Sequence, residues 1–196
     1  MHLLEDLPHS PRADARYAII VMGVSGSGKS TIGAALAARL KCSFLEGDAF
    51  HSESNVEKMR SGHPLDDQDR WPWLDRVADG LREAAETEGV AVAACSALKR
   101  SYRERLSRTA DIPLLFVFLD TTDQGELSRR LAHRSGHYMP TSLLTSQIET
   151  LERPGPDERA ITLPAGLSPD RACDLALDWI LRERPVHDED RLGRAV

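Results

Sequence analysis

Eight consecutive residues, Gly23-Val24-Ser25-Gly26-Ser27-Gly28-Lys29-Ser30, carry the densest chemistry in the chain. Their spacing, G-x-x-x-x-G-K-[ST], suits a backbone wrapped around an anion. Glycines reach dihedrals that a Cβ forbids, so the N–H groups of Gly26, Ser27, Gly28 and Lys29 can converge on a β-phosphate. Lys29 can bridge the β- and γ-phosphates, and the Ser30 hydroxyl is placed to ligate Mg²⁺. Gly23, Val24, Ser25 and Thr31 complete the expected nucleotide-binding stretch. A Gly/Ser-rich turn that merely contains a lysine is the competing reading. The context argues against it: the apolar run at 17–22 precedes the loop and Thr31-Ile32-Gly33-Ala34-Ala35-Leu36 follows it. That is strand, phosphate loop and helix, with the positive end of the helix aimed at the same point.

Two further stretches could act on a bound phosphate. Cys42-Ser43-Phe44-Leu45-Glu46 reads as a second parallel strand ending at Gly47-Asp48. Ligands in open α/β sheets gather beyond the carboxyl ends of strands, which puts Asp48 beside the loop. There it can accept a hydroxyl proton or orient that hydroxyl for in-line attack, although Asp is also a common helix N-cap. The segment Arg129-Arg130-Leu131-Ala132-His133-Arg134-Ser135-Gly136-His137-Tyr138-Met139-Pro140 is basic, contains a Gly hinge and reads as a lid over about 130–141. Its arginines, Arg130 and Arg134, would place positive charge around a transferring phosphoryl group and help exclude water.

The elements that must position these groups follow from hydrophobic pattern. Ile32, Ala35, Leu36 and Leu40 recur at helical spacing. Residues 49–88 are helical in pattern, broken at Gly62-His63-Pro64 and at Pro72, and suggest an inserted helical substrate lobe. Leu74, Val77, Ala78, Leu81 and Ala85 form an amphipathic stripe within it. Residues 90–95 predict an interior strand buried on both faces, 114–120 a further strand, 142–151 a helix and 160–163 a short last strand. Ser168 and Pro169 open a final helix through Ala172, Leu175, Ala176, Trp179 and Ile180. The expectation is an α/β P-loop NTPase fold: a five-stranded parallel sheet flanked by helices, adenylate-kinase-like, with a helical insertion and a lid. Residues 1–16 read as a loose leader, 17–184 as the kinase domain and 185–196 as a polar tail.

Bulk properties narrow the class. A chain of 196 residues suits one domain, and a net charge of −6 argues against a general nucleic-acid or membrane-surface binder. Cys42, Cys95 and Cys173 are odd in number and widely spaced, so a reduced, cytoplasmic setting fits better than a disulfide framework or a zinc site. Cys95 reads as a small buried apolar residue, and Trp71 and Trp73 as packing anchors. No N-K-x-D string marks a guanine-reading GTPase, and the strand at 90–95 ends in Ala94-Cys95-Ser96 rather than in the carboxylate of a motor ATPase. A small-molecule kinase remains.

Beyond the loop, the strings Glu46-Gly47-Asp48-Ala49-Phe50-His51, Asn55 with Lys58-Met59, Gly62-His63-Pro64-Leu65-Asp66-Asp67-Gln68-Asp69-Arg70-Trp71-Pro72-Trp73-Leu74, Cys95-Ser96-Ala97-Leu98-Lys99, Tyr102-Arg103, Arg134-Ser135-Gly136-His137 and Ser146-Gln147 with Leu151-Glu152 run in order from about residue 17 to 154. Together they resemble bacterial gluconokinases. The family often has Asp where this chain has Glu46. The resemblance implies ATP- and Mg²⁺-dependent phosphorylation of D-gluconate on its 6-hydroxyl, feeding 6-phosphogluconate to the pentose phosphate or Entner–Doudoroff routes, by a cytoplasmic homodimer. Gluconate is a carboxylate on a chain of hydroxyls, so its site should combine a guanidinium with donor and acceptor side chains. Arg70, Arg103, Lys99, His51, His137 and Gln147 offer that mixture, and Lys58 and Arg134 join them. Lys29, Asp48 and Arg134 are the expected catalytic groups; Arg130 and the stretch near Leu163 are candidates for the adenine side. The rival readings are a shikimate-kinase-like phosphotransferase acting on another small acid, a nucleoside monophosphate kinase, and a nucleotide-binding module without turnover.

Overall fold

The computed structural model describes residues 16–121, 123, 125, 127, 129, 141–164 and 166–185. Five parallel strands form one sheet in the order β2-β3-β1-β4-β5, with β1 Tyr17–Met22, β2 Phe44–Glu46, β3 Val90–Ala94, β4 Leu114–Asp120 and β5 Ala160–Pro164. The expected five-stranded parallel sheet is therefore present. β1 takes its centre and is buried along its whole length, while β3 lies between β1 and β2.

Alternation along β1 divides the core into two layers. Ala18, Ile20 and Met22 face Trp73, Leu74, Val77, Leu81, Tyr102 and Leu106, which come from α3 (Asp67–Glu88) and α4 (Arg100–Ala110). Tyr17, Ile19 and Val21 face Ile32, Leu36, Ala172, Ala176 and Ile180, from α1 (Lys29–Leu40) and α6 (Pro169–Glu183). Ser168 caps α6 by accepting the Arg171 N–H, with Pro169 in the first turn, where its missing donor costs nothing.

The helical pattern of residues 49–88 resolves into three elements. A short 3₁₀ turn, Gly47–Phe50, leads to α2, Glu53–Arg60, and only then to α3. Pro72 does not break α3, which runs 22 residues. It sits near the helix start, where one lost hydrogen bond is offset by a capping box between Asp66 and Asp69 and by the buried stripe beyond. That stripe belongs to the main core, so residues 67–88 cover one face of the sheet. The material added on top of the sheet is the stretch between β2 and α3.

A third, small cluster lies beneath the top of the sheet: Val24, Leu98, Leu127 and Leu144, with Ile148 and Leu151 packed on it. It brings the phosphate loop, the β3–α4 connection and α5 (Thr141–Thr150) together. Residues 1–15, the lid other than its last residue, and 186–196 lie outside the described residues, as do Arg130, Arg134 and His137. No helix among the described residues is long and apolar enough to cross a membrane.

Candidate active site

The phosphate loop leaves β1 with Gly23, Gly26 and Gly28 at φ of 138°, 83° and 99°, conformations an L side chain rarely adopts. At Gly23 space is also short, because a Cβ would stand 2.9 Å from the Leu119 carbonyl oxygen. Gly28 occupies the N-cap of α1 and supplies no side-chain hydrogen bond. The first N–H groups of the helix therefore keep their capacity for an anion. Lys29 Nζ donates to the Val24 carbonyl at 3.1 Å, folding its ammonium back over the loop. The Ser27 hydroxyl is buried with no hydrogen-bond partner among the described residues, a polar atom inside the cradle. Together these features fit a polyphosphate. Ser30, in the first turn of α1, is the hydroxyl available to Mg²⁺. Among the described residues no group of three or more His, Cys, Asp or Glu could hold a metal ion.

From the loop, a cleft of about 290 Å³ runs across the ends of β4 and β5, walled by Gly28, Thr31, Thr121, Leu163, Pro164 and Leu167. Its apolar walls, with the Thr121 hydroxyl among them, suit a purine base. The sequence pointed to Leu163, but Thr121 and Leu167 belong to no motif and only the fold assembles them.

On the other side of β1, across β3, lies the turn after β2. Gly47 packs so closely on β3 that a Cβ would sit 2.3 Å from the Ala94 carbonyl oxygen. Trp73 then fixes the turn: its Nε1 donates to the Gly47 carbonyl at 2.7 Å, and its ring stacks on His51 with centroids 4.3 Å apart. Arg76 Nε donates to the Phe50 carbonyl at 2.8 Å. Two side chains of α3 thus aim Asp48 outward, 62% exposed, with His51 Nε2 3.9 Å from its Oδ1. His51 itself is only 4% exposed, and its Nδ1 lacks a partner among the described residues. Burial lowers its pKa to about 4, against the opposing pull of Asp48, so the ring is neutral at physiological pH. Cys95, directly after β3, is buried. Burial pushes its thiol up to about 12, and the charges of Asp48, Lys29 and Arg70 all act on it. Such a thiol is not a nucleophile.

Arg70 follows one turn after the start of α3. Its Nε donates to the Leu65 carbonyl at 3.3 Å and its guanidinium carbon lies 5.7 Å from the Tyr102 ring centre, with no carboxylate among the described residues at ion-pair distance. Asp67 and Asp69 are engaged elsewhere. Lys99 binds both oxygens of Asp67, at 2.8 and 3.0 Å, and the Tyr102 hydroxyl donates to the same carboxylate, which holds the Asp67 pKa below its ordinary value. These groups, with Leu65 and Thr150, line a second cleft of about 420 Å³. Residue type leaves Asp67 undecided between a solvated helix start and substrate binding; its pairing with Lys99 and Tyr102 follows from α3 and α4 lying side by side.

Three expected substrate groups have other work in the structure. Arg103 is 1% exposed and has no free face. It pairs with Glu158 through Nε–Oε2 at 2.5 Å and Nη2–Oε1 at 2.9 Å, and its Nη1 donates to the carbonyls of Ala97, Leu98 and Glu152. It pins the β3–α4 loop to the α5–β5 connection instead of entering the cleft. Lys58 is bound to Asp69 at 2.5 Å and Asp66 at 3.5 Å, bracing α2 against the start of α3. Gln147 directs its carbonyl oxygen to the backbone N–H of Ser25 in the phosphate loop.

A parallel β2-β3-β1-β4-β5 sheet, a glycine-rich phosphate loop between β1 and α1, and a cleft that runs from that loop define a small P-loop kinase. Residues 19–154 match the family described as an AAA domain. The chain is 54% identical over 170 residues to the gluconokinase of Gluconobacter oxydans (strain 621H), covering 87% of this chain and 92% of that one. It is 44% identical over 139 residues to the thermoresistant gluconokinase of Escherichia coli, covering 71% and 78%. The crystal structure of a gluconokinase from Sinorhizobium meliloti 1021 superposes with a TM-score of 0.76 at 41% identity, covering 92% of this chain and 98% of that one. The chain belongs to the gluconokinase family.

Proposed function

We propose that this protein transfers the γ-phosphoryl group of ATP to the 6-hydroxyl of D-gluconate, giving 6-phospho-D-gluconate and ADP. The observation that carries the reading is the placement of three groups: Lys29 opens α1 directly after the phosphate loop, Asp48 stands exposed in the turn that follows β2, and Arg70 lies in the first turn of α3. These are a lysine suited to phosphate, an exposed carboxylate and a guanidinium with no carboxylate partner among the described residues. Family membership supplies the acceptor.

Each group then has a task. The loop N–H donors and Lys29 hold the β- and γ-phosphates, and the apolar cleft beyond Thr31 takes the base. Asp48 receives or orients the 6-hydroxyl, its position fixed by Trp73 and Arg76 through the turn backbone. Arg70 recognises the carboxylate end, with Lys99 and Tyr102 beside it. Because the transition state of phosphoryl transfer is loose, positioning and positive charge matter more than base strength. Mg²⁺ held by Ser30 and the phosphates would neutralise charge on the transferred group. Arg134 and His137, outside the described residues, complete the substrate side in this reading, and Arg130 the nucleotide side. We further propose a cytoplasmic homodimer whose product enters sugar-acid catabolism through the pentose phosphate or Entner–Doudoroff route, with neither nucleic acid nor membrane as a partner.

The test is ATP consumption by purified protein with Mg²⁺, comparing D-gluconate, shikimate and no acceptor, with 6-phosphogluconate measured through its dehydrogenase. Turnover with gluconate alone, yielding that product, is the expected result. Turnover with shikimate or with neither acceptor would refute the assignment.

A further inference from the structure

Gln147 has the residue type of a sugar hydroxyl partner, but its geometry serves the phosphate loop. Its Oε1 accepts the Ser25 backbone N–H at 2.7 Å, a link across 122 residues of chain. Ser25 supplies the loop N–H that does not belong to the set expected to converge on phosphate. Satisfying it from the side fixes the first half of the loop without consuming a phosphate donor. A second observation locks the same contact: Val24, the neighbouring loop residue, packs in one small cluster with Leu144 and Ile148 of α5, which flank Gln147 along the helix. The end of α5 is in turn tied to the β3–α4 loop, where the Glu152 N–H donates to the Leu98 carbonyl at 2.9 Å. The helix is thus seated against the loop by apolar packing, and Gln147 sets the loop's hydrogen-bonded shape.

We propose that Gln147 is a positioning residue for the nucleotide, holding the phosphate loop in the conformation that receives a β-phosphate, and not a sugar-acid ligand. The inference rests on the nucleotide-binding half of the function proposed above. It concerns binding order within one site: polyphosphate affinity, and not acceptor affinity, should depend on this side chain.

The experiment is calorimetric titration of ADP and of AMP into the wild type, Gln147→Met and Gln147→Ala, together with the KM for gluconate from the coupled assay. Methionine keeps the unbranched stem and helix propensity but offers the Ser25 N–H only a weak thioether acceptor in place of an amide oxygen. Loss of one such bond predicts about three- to tenfold weaker ADP binding in both variants. AMP, which lacks a β-phosphate, should bind as before, and the gluconate KM should hold. A merely structural loss would weaken both nucleotides alike, and that outcome overturns the proposal. So does unchanged ADP affinity, or a raised gluconate KM with ADP unaffected. A wild type that fails to bind ADP would overturn the nucleotide reading as well, whereas ADP binding without gluconate turnover would refute only the acceptor assignment. Should Gln147→Ala not fold, the isosteric methionine variant carries the same comparison.

Discussion

Replacing Arg103 by methionine separates a structural role from a substrate role most sharply. The guanidinium is 1% exposed and meets one carboxylate and three carbonyls, so methionine fills the volume while removing the charged donor that Glu158 and the carbonyls of Ala97, Leu98 and Glu152 share. Breaking a buried ion pair by removing one partner costs about 3–5 kcal/mol. In a domain of this size each kcal/mol moves Tm by about 2–4 °C, so Arg103→Met should melt roughly 6–20 °C below the wild type. The pH dependence has a definite sign. Arg103 holds the Glu158 carboxyl below its ordinary value. That stabilisation is fully present above the unfolded glutamate pKa of about 4.3, and it is lost as pH falls through the lower native value. In Arg103→Met this acid-side loss should shrink. Thermal melts without substrate, at pH 7 and at pH 4, on the wild type, Arg103→Met, Glu158→Gln and the double variant give the coupling directly. A variant with wild-type Tm and only a raised gluconate KM would refute the structural reading and return Arg103 to the substrate site.

Asp48→Asn should fold and bind ADP as the wild type does but lose about 10²- to 10⁴-fold in kcat, and wild-type turnover would remove Asp48 from the chemistry. Arg70→Met should raise the gluconate KM by about 10- to 100-fold, the worth of a charge-assisted contact, with little change in ATP KM; a selective loss of ATP affinity would contradict the assignment. His51 is buried neutral with a pKa of about 4, below the unfolded value of about 6.5. The unfolded chain therefore binds more protons in between, and stability should fall as pH drops from about 6.5 toward 4. Urea denaturation at stepped pH should show that slope in the wild type and a flatter one in His51→Gln; equal slopes would place the ring in a solvated setting.

The sequence by itself determined the phosphate loop, because backbone conformation there is set locally by glycine spacing and the flanking strand and helix need only neighbouring residues to declare themselves. It also determined the five-strand plan and the capped final helix, whose Ser168 and Pro169 act within one turn. Asp48 was legible as a strand-end carboxylate for the same reason. What a motif cannot carry is the direction in which a polar side chain points after helices pack. Arg103, Lys58 and Gln147 share residue type with substrate ligands, yet each is consumed by a partner far along the chain: Glu158, Asp69 and the Ser25 N–H. Pro72 predicts a break, but the capping box before it and the buried stripe after it hold a continuous helix. Thr121, Leu167 and Tyr102 join the clefts only because strand order and helix packing bring β4, α6 and α4 to the same end of the sheet. Local dihedral preference writes itself into short sequence; the choice of hydrogen-bond partner among many chemically suitable groups is made by tertiary packing, which decides the groups that stay exposed to a ligand.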